Sequence, residues 1–367
     1  MVKITKSTQL TRNSAVTGMI RLTSLALCAA AMLVWTQSDV DYSGSSLLAA
    51  DVDLKHWRQS VTKACESAKT KEDVEAIRSM QTSAFTLPLL RSSSGRTPIK
   101  PCKNVLLDFG ANIGDTSGKL VDAGLQGCSR KDLSADVPEV SFDVESKSFT
   151  HRRHNALTGG FKKLLGEDGP EDYCYYGVEG NPVFTERLAD LEATLSAIRP
   201  SPLEHLHFFT ESVGAGKDGP TKLYLDTVNG KQNYWGSSIF SGHQDVVKSS
   251  EGKTEKVAAD VMGYTIGTLM KQTLRALQPD ATEAEKKGNK FILKVDIEGG
   301  EFPLLAEAAE EGTLCRFVAM GNQADLFIEY HSQRVTGPNE WAGKKKEFTK
   351  KLEDCGVQFR QLGAHWH

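Results

Sequence analysis

The sequence predicts an α/β protein with a doubly wound, mostly parallel sheet, preceded by a helical N-terminal extension. Three observations carry that expectation. From residue 104 onward, short apolar runs alternate with helical stretches, the pattern of a parallel sheet covered on both faces. Residues able to do chemistry gather directly after those runs, where such sheets bind ligands. The 367 residues, 39% apolar and 25% charged, suffice for the core of one large domain or two ordinary ones.

The elements follow in order. NVLLDFG (104–110) reads as the first strand and DTSGKLVDAG (115–124) as its helix. YCYYGVEG (173–180) is the next strand, with FTERLADLEATLSAI (184–198) as the helix after it. HLHFFTESVG (205–214) and TKLYLDTV (221–228) are strand-like. KVAADVMGYTIGTLMKQTLRAL (256–277) reads as a long helix leading into the strand FILKVDIEGG (291–300). A helix from Glu301 to Glu311 is stopped by Gly312. ADLFIEYH (324–331) is a strand, NEWAGKKKEFTKKLEDCG a helix, and VQFRQLG the last strand. Residues 128–172 exceed the needs of a βα connection, and read as a disordered or hairpin insertion in preference to a substrate lid.

Upstream of the alternation, residues 53–80 have a helical pattern, with Thr70 and Asp73 forming a capping-box signal. RSSSGRTPIKP (91–101) reads as a linker. The expected divisions are therefore a targeting segment (1–37), a stem and helical extension (38–95) and the α/β domain (96–367). No Asp or Glu precedes Asp39, whereas Lys3, Lys6, Arg12 and Arg21 precede the apolar LTSLALCAAAMLVW (22–35). That is the pattern of secretory targeting. A type II signal anchor is favoured over a cleaved signal peptide or an organellar transit sequence. It would make the chain a single-pass membrane protein of the ER or Golgi, with a secreted or organellar form as the alternative. Apart from Cys28, the six cysteines fit disulfides and buried thiols equally well. No cysteine spacing suits structural zinc. The net charge of −3 gives no electrostatic case for nucleic acid.

The candidate site begins at LLDFGANIGD, where Asp108, Gly110, Asn112, Gly114 and Asp115 mark the turn from strand into helix. The glycines permit a tight turn and close approach of a ligand. Acids at both ends would repel a pyrophosphate, and GxGxxG is absent, which disfavours a nicotinamide oxidoreductase. A cationic adenosine ligand, S-adenosyl-L-methionine, fits better. In GVEGNP, Glu179 is placed to accept from both ribose hydroxyls, with Asn181 in the same turn. Glu211 and Ser212 follow the third strand and would edge the adenine.

Asp296 and Glu298 share a strand face by period two, with Lys294 beside them to balance charge. One of the two carboxylates is the expected general base for a hydroxyl acceptor, and His331 is its rival. Glu301 and Pro303 suit the first turn of the following helix. The loop KQNYWGSSIFSGH (231–243) reads either as an acceptor loop or as a surface turn. The two acids after the strand would also suit Mg²⁺ with waters, which leaves metal dependence open.

Taken in order, VLLDFGANIGDTS, GVEGNP, KVDIEGGEF and LFIEYH resemble the FkbM family of S-adenosylmethionine-dependent methyltransferases, over roughly residues 102–360. The resemblance implies a class I methyltransferase (Rossmann-like) fold and methyl transfer to a hydroxyl oxygen of a sugar or natural product. It assigns Asp108, Gly110, Asn112 and Gly114 to the methionine part of the cofactor and Glu179 to the ribose. Asp296 and Glu298 would face the reacting end. The chain departs from the family in its long insertion and in Gly300, where Ala is more usual. The implied partner is a glycan or other small hydroxylated acceptor. The alternative is a non-catalytic interaction protein that keeps the fold.

Overall fold

The apolar runs NVLLDF, YCYYGVE, HLHFFT, KFILKV and QADLFI are each matched by a short strand buried along nearly its whole length. A computed structural model describes residues 54–77 except 69 and 71, together with 99–124, 138–153, 165, 168–198, 201–331 and 340–361. All of them belong to the second of two units, residues 51–367. The targeting segment, most of the stem and most of the linker lie outside the described residues. Among the described residues, no helix is long and apolar enough to cross a membrane.

The first half of this unit holds α1 (Leu54–Ser67), β1 (Asn104–Phe109), α2 (Asp115–Gly124), β2 (Pro138–Asp143), β3 (Ser148–Arg153), β4 (Tyr173–Glu179), α3 (Thr185–Ala197) and β5 (His205–Thr210). Next come β6 (Ser212–Gly214), β7 (Gly219–Tyr224), α4 (Gln244–Ser249), β8 (Ala258–Tyr264), α5 (Ile266–Thr273) and β9 (Lys290–Val295). The last elements are α6 (Glu301–Glu311), α7 (Thr313–Ala319), β10 (Gln323–Ile328), α8 (Glu340–Asp354) and β11 (Gln358–Gln361).

Six strands form one sheet in the order β11-β10-β9-β1-β4-β5, and every pairing in it is parallel. Alternate residues of these strands feed two cores, because successive side chains leave opposite faces. Leu106, Tyr175, Phe208 and Ile292 pack with Leu120 of α2 and Leu188 and Leu191 of α3. Val61 and Cys65 of α1 join that core, so the helical extension is built into the α/β unit. On the other face Leu107, Phe109, Leu293 and Leu326 pack with Leu269 of α5, Phe302 of α6, Phe317 of α7 and Leu352 of α8. The fold is the Rossmann-like, doubly wound α/β fold of the class I methyltransferases. The chain's direction of travel across the sheet reverses between β1 and β9, which places the ligand crevice beyond their carboxyl ends.

Two stretches differ from the sequence reading. HLHFFTESVG is not one strand: Glu211 has φ +53, and this kink sends β6 into a second sheet ordered β6-β8-β7. Residues 256–277 are not one helix either. AADVMGY forms β8, antiparallel to β7, and α5 starts only where the Thr265 side chain accepts from the Thr268 N–H. Helical spacing of the apolar residues hid a strand that buries Val261 against Val213 and Leu223. In the long insertion, β2 and β3 pair as an antiparallel hairpin.

Disulfides join Cys102 to Cys174 and Cys315 to Cys355, and Cys65 is disulfide-bonded as well. Cys102–Cys174 spans 72 residues of chain and ties the entry of β1 to its neighbour β4. Closing a loop of that length restricts the unfolded chain by about 4 kcal/mol in the chain-entropy picture. Replacing both cysteines by Ala is expected to lower the unfolding free energy in urea by about 2–5 kcal/mol, and an unchanged value would refute that role.

Candidate active site

The turn after β1 holds the backbone in a form that side chains resist. Gly110 has φ +87 and Gly114 φ +85. A Cβ on Gly110 would collide with the Asp296 carbonyl oxygen, and one on Gly114 with Leu191 of α3. The first glycine therefore lets the exits of β1 and β9 touch, and the Asp296 N–H donates to the Phe109 carbonyl at 3.1 Å. Asn112, also left-handed at φ +50, donates its N–H to Glu179 Oε2 at 2.8 Å and its Nδ2 to the Asn233 carbonyl at 2.9 Å. Glu179 Oε1 accepts from the Asn181 N–H at 2.7 Å. Burial raises the Glu179 pKa despite those two backbone donors. Asp115, the first residue of α2, suits the helix dipole and pairs with Lys119 at 2.9 Å.

Below this turn lies an ion pair that the sequence reading did not identify. Asp108 of β1 stands opposite Lys294 of β9 in the parallel register, and the two are 0% and 4% exposed. Lys294 Nζ donates to Asp108 Oδ1 at 3.0 Å and lies 3.8 Å from Asp296 Oδ2. Tyr175 Oη of β4 donates to the other Asp108 oxygen at 2.8 Å. Burial alone would lower the Lys294 pKa, but Asp108, Asp296 and Asp115 outweigh it and hold the ammonium above its ordinary range. Stability from a raised lysine is fully present below the ordinary lysine pKa and lost only as pH climbs through the raised one. The pair thus holds throughout neutral pH. The usable signal was two charges at matching positions in neighbouring apolar strands.

The strand β9 ends at Val295, so Asp296 and Glu298 do not share a strand face. A turn brings them together instead: Glu298 has φ +49 and Gly299 φ +100, and α6 follows at once. A non-glycine residue held in that region stores strain, a feature that clusters at functional sites. Glu298 Oε2 lies 3.0 Å from Nε2 of the fully buried His243, and its carbonyl accepts from Ser238 Oγ at 2.7 Å. His331, just beyond β10, directs Nε2 toward Glu329 Oε1 (3.4 Å), Glu298 Oε1 (3.6 Å) and Asp296 Oδ1 (3.8 Å). Its Nδ1 lies 3.4 Å from Glu301 Oε1. Burial would depress the His331 pKa, yet the Glu301, Glu298 and Asp296 carboxylates prevail and push it up to about 9. Glu301 does more than start a helix: its carboxylate also accepts from the His331 and Gly299 N–H groups.

The loop 225–243 is a fixed wall. The buried Asp226 accepts from the N–H groups of Val228, Asn229 and Gly236 and from Ser249 Oγ. Burial would raise its pKa, but these donors and the Asn229 side chain hold it below the ordinary range. The loop presents Asn233, Tyr234, Trp235 and Ser237 to a cavity of about 470 Å³, within the range of roughly 300–1,000 Å³ that accommodates small ligands. On the β4 side the cavity is lined by Gly110, Asn112, Asp115, Glu179, Asn181 and Ser212. On the β9 side Lys294, Asp296, Glu298, Glu329 and His331 line it.

Three residues singled out from the sequence lie off this wall. Asp108 is sealed under Lys294, Gly114 packs against α3, and the exposed Glu211 accepts from Thr185 Oγ1 at 3.1 Å. A separate cavity of about 580 Å³, beside Pro303, Glu307, Lys344 and Lys351, includes none of the candidate residues. Lys294→Met would leave Asp108 buried without its partner, at an expected cost of about 3–5 kcal/mol. Adding Asp108→Asn should recover part of that loss in the same thermal melts. A single variant as stable as the parent would show that the pair is not structural.

A family model described as the methyltransferase FkbM domain matches residues 163–359, over half of the chain. It takes in Glu179, Asp296, Glu298 and His331, and begins after the Asp108–Asp115 turn. No curated protein and no solved structure matches the chain. With the family's match laid over a doubly wound sheet whose acids and glycines meet in one crevice, the chain belongs to the FkbM methyltransferase family.

Proposed function

We propose that this protein is an S-adenosyl-L-methionine-dependent O-methyltransferase acting on a hydroxyl of a glycan or other small hydroxylated acceptor. The observation that carries the proposal is the single cavity shared by Glu179 on its β4 side and Asp296, Glu298 and His331 on its β9 side. The residues present fit the cofactor. Each Glu179 oxygen takes one backbone donor, which leaves lone pairs for two ribose hydroxyls. Asn181, 2% exposed, has an Nδ2 without a hydrogen-bond partner, a donor for an adenosine acceptor atom. Asp115, at the edge of the same cavity, is a carboxylate suited to a cationic ligand. When bound, S-adenosylmethionine supplies an electrophilic methyl group on a sulfonium.

The chain's own work is to align the acceptor and receive its proton. Alignment can contribute up to about 7–11 kcal/mol. Of the two carboxylates in the turn after β9, Asp296 has a side chain 25% exposed, whereas Glu298 is 9% exposed and faces both His243 and His331. Asp296 is therefore the base in this proposal. His331, already protonated at neutral pH, steadies the surrounding carboxylates instead of competing for the proton. Tyr234, Trp235 and Ser237 offer an aromatic and hydroxyl surface for a sugar-like acceptor. A body in the secretory pathway, attached through residues 22–35 where that segment is retained, is part of the proposal. The Cys102–Cys174 and Cys315–Cys355 disulfides support an oxidising compartment.

Calorimetry with S-adenosylmethionine, S-adenosylhomocysteine and NAD tests the cofactor, with binding expected for the first two and none for NAD. Glu179→Ala removes the proposed hydrogen bonds of a charged group, each worth about 1.5–3 kcal/mol, and should weaken S-adenosylmethionine binding at least tenfold. Asp296→Asn should keep that affinity and lower methyl transfer to a responsive glycan by about 10²–10⁴. Turnover at the parent rate would remove Asp296 as the base.

A further inference from the structure

We infer that Asp296, Glu298, Glu329 and His331 form a site for one divalent cation in the floor of the cavity, with Mn²⁺ the best match to its donors. This inference builds on the same cavity as the proposed function but does not need the methyl donor. The four residues converge from two turns, after β9 and after β10. Candidate ligand atoms of Asp296, Glu298 and His331 all lie within 4.8 Å of one another. Ligands of one octahedral ion with bonds of about 2.1 Å stand about 3.0 Å apart when cis and about 4.2 Å when trans. The distances from His331 Nε2 to the three carboxylate oxygens, 3.4–3.8 Å, fall inside that interval and are long for direct hydrogen bonds.

A second, independent observation points to a ligand. His331 is 5% exposed, the residue borders the cavity, and its Nε2 is aimed at three carboxylate oxygens with none of them closer than 3.4 Å. A buried imidazole so placed wants a partner. Around it stand the supports that metal ligands usually have. The carboxylate of Glu301, 0% exposed, sits beside Nδ1 and leaves Nε2 as the nitrogen facing the three acids. His243 lies against the far oxygen of Glu298. Such outer partners fix the tautomer of a histidine ligand and aim a carboxylate. One imidazole with three carboxylates is a mixed set: carboxylates suit Mg²⁺ and Mn²⁺, and imidazole favours the transition ion of the two. Bound there, the ion would displace the Nε2 proton that His331 otherwise carries at neutral pH, hold an acceptor hydroxyl oxygen and acidify it, while Asp296 Oδ2, on the Lys294 side, remains to take the proton.

The test is titration of the chelator-treated full chain with MnCl₂, following loss of the free Mn²⁺ electron paramagnetic resonance signal. One ion per chain is expected, with binding at least tenfold weaker in Asp296→Asn and in His331→Gln. Asp296→Asn is nearly isosteric and partly exposed, so it keeps the test meaningful where His331→Gln fails to fold. Folded parent protein that leaves the signal of free Mn²⁺ intact would overturn the inference, as would affinity unchanged in Asp296→Asn. S-adenosylmethionine calorimetry on the same samples separates the two ideas. Mn²⁺ binding without cofactor binding sinks the methyl-transfer proposal alone, and the converse sinks the metal site alone.

Discussion

The ammonium of Lys294 inside the sheet is the constraint on which the rest of the site depends. An isolated charge at that depth would be prohibitive, and Asp108 on the next strand supplies its partner at 3.0 Å. Because the two stand opposite each other in the parallel register, the pair is satisfied in one alignment of β1 with β9 and in no slipped one. Tyr175 adds the third neighbouring strand by donating to the same carboxylate. The ion pair therefore joins the strands on both sides of the switch point. It also reaches upward, since Nζ lies 3.5 Å from the Gly110 carbonyl and 3.8 Å from Asp296. Both loops that border the crevice rest on one buried cation.

Close approach is the second consequence. The loops after β1 and β9 can touch only because position 110 has no Cβ, as the clash with the Asp296 carbonyl shows. Their contact then forces the chain after Asp296 to turn sharply, which places Glu298 in a left-handed conformation. Glu301 holds the result. Its carboxylate receives the Gly299 N–H on one oxygen and the His331 N–H on the other, so a residue at the start of α6 fixes the turns after two different strands. Preorganisation of this kind, in which buried groups hold Glu298 and His331 before any ligand arrives, is what a site needs before it can favour a transition state.

Much of this was legible in the sequence because it is local. Apolar runs marked the strands, Gly312 marked the end of α6, and the glycines and acids of LLDFGANIGD and GVEGNP marked the β4 side of the cavity. What escaped depends on partners distant in the chain. Asp108 reads as a ligand residue until Lys294 is seen across the strand pair. Glu211 reads as part of a strand end until its backbone turns away from the cavity. Period two placed Asp296 and Glu298 together correctly but for the wrong reason, since the strand has already ended at Val295. Residues 256–277 have apolar spacing compatible with a helix, and only the pairing with β7 reveals a strand there. Glu329 in LFIEYH and His243 at the end of KQNYWGSSIFSGH lie in stretches the sequence singles out, but their place beside His331 and Glu298 depends on contacts distant in the chain.

The charges of the cavity also bear on how methyl transfer would be favoured over mere binding. Positive charge on a methyl donor spreads out as the transfer proceeds, so an acidic cavity that only attracted a cation would hold the ground state as well as the transition state and gain nothing in rate. Here the acids are not left to act that way. Asp108 is matched by Lys294, Glu298 lies between two histidines, and Glu179 is engaged by backbone donors with its pKa raised by burial. Of the two acids in the turn after β9, Asp296 is the more exposed, and it lies close to both Lys294 and His331. A cavity arranged like this spends most of its negative charge on structure and leaves one group placed to respond as a hydroxyl gives up its proton.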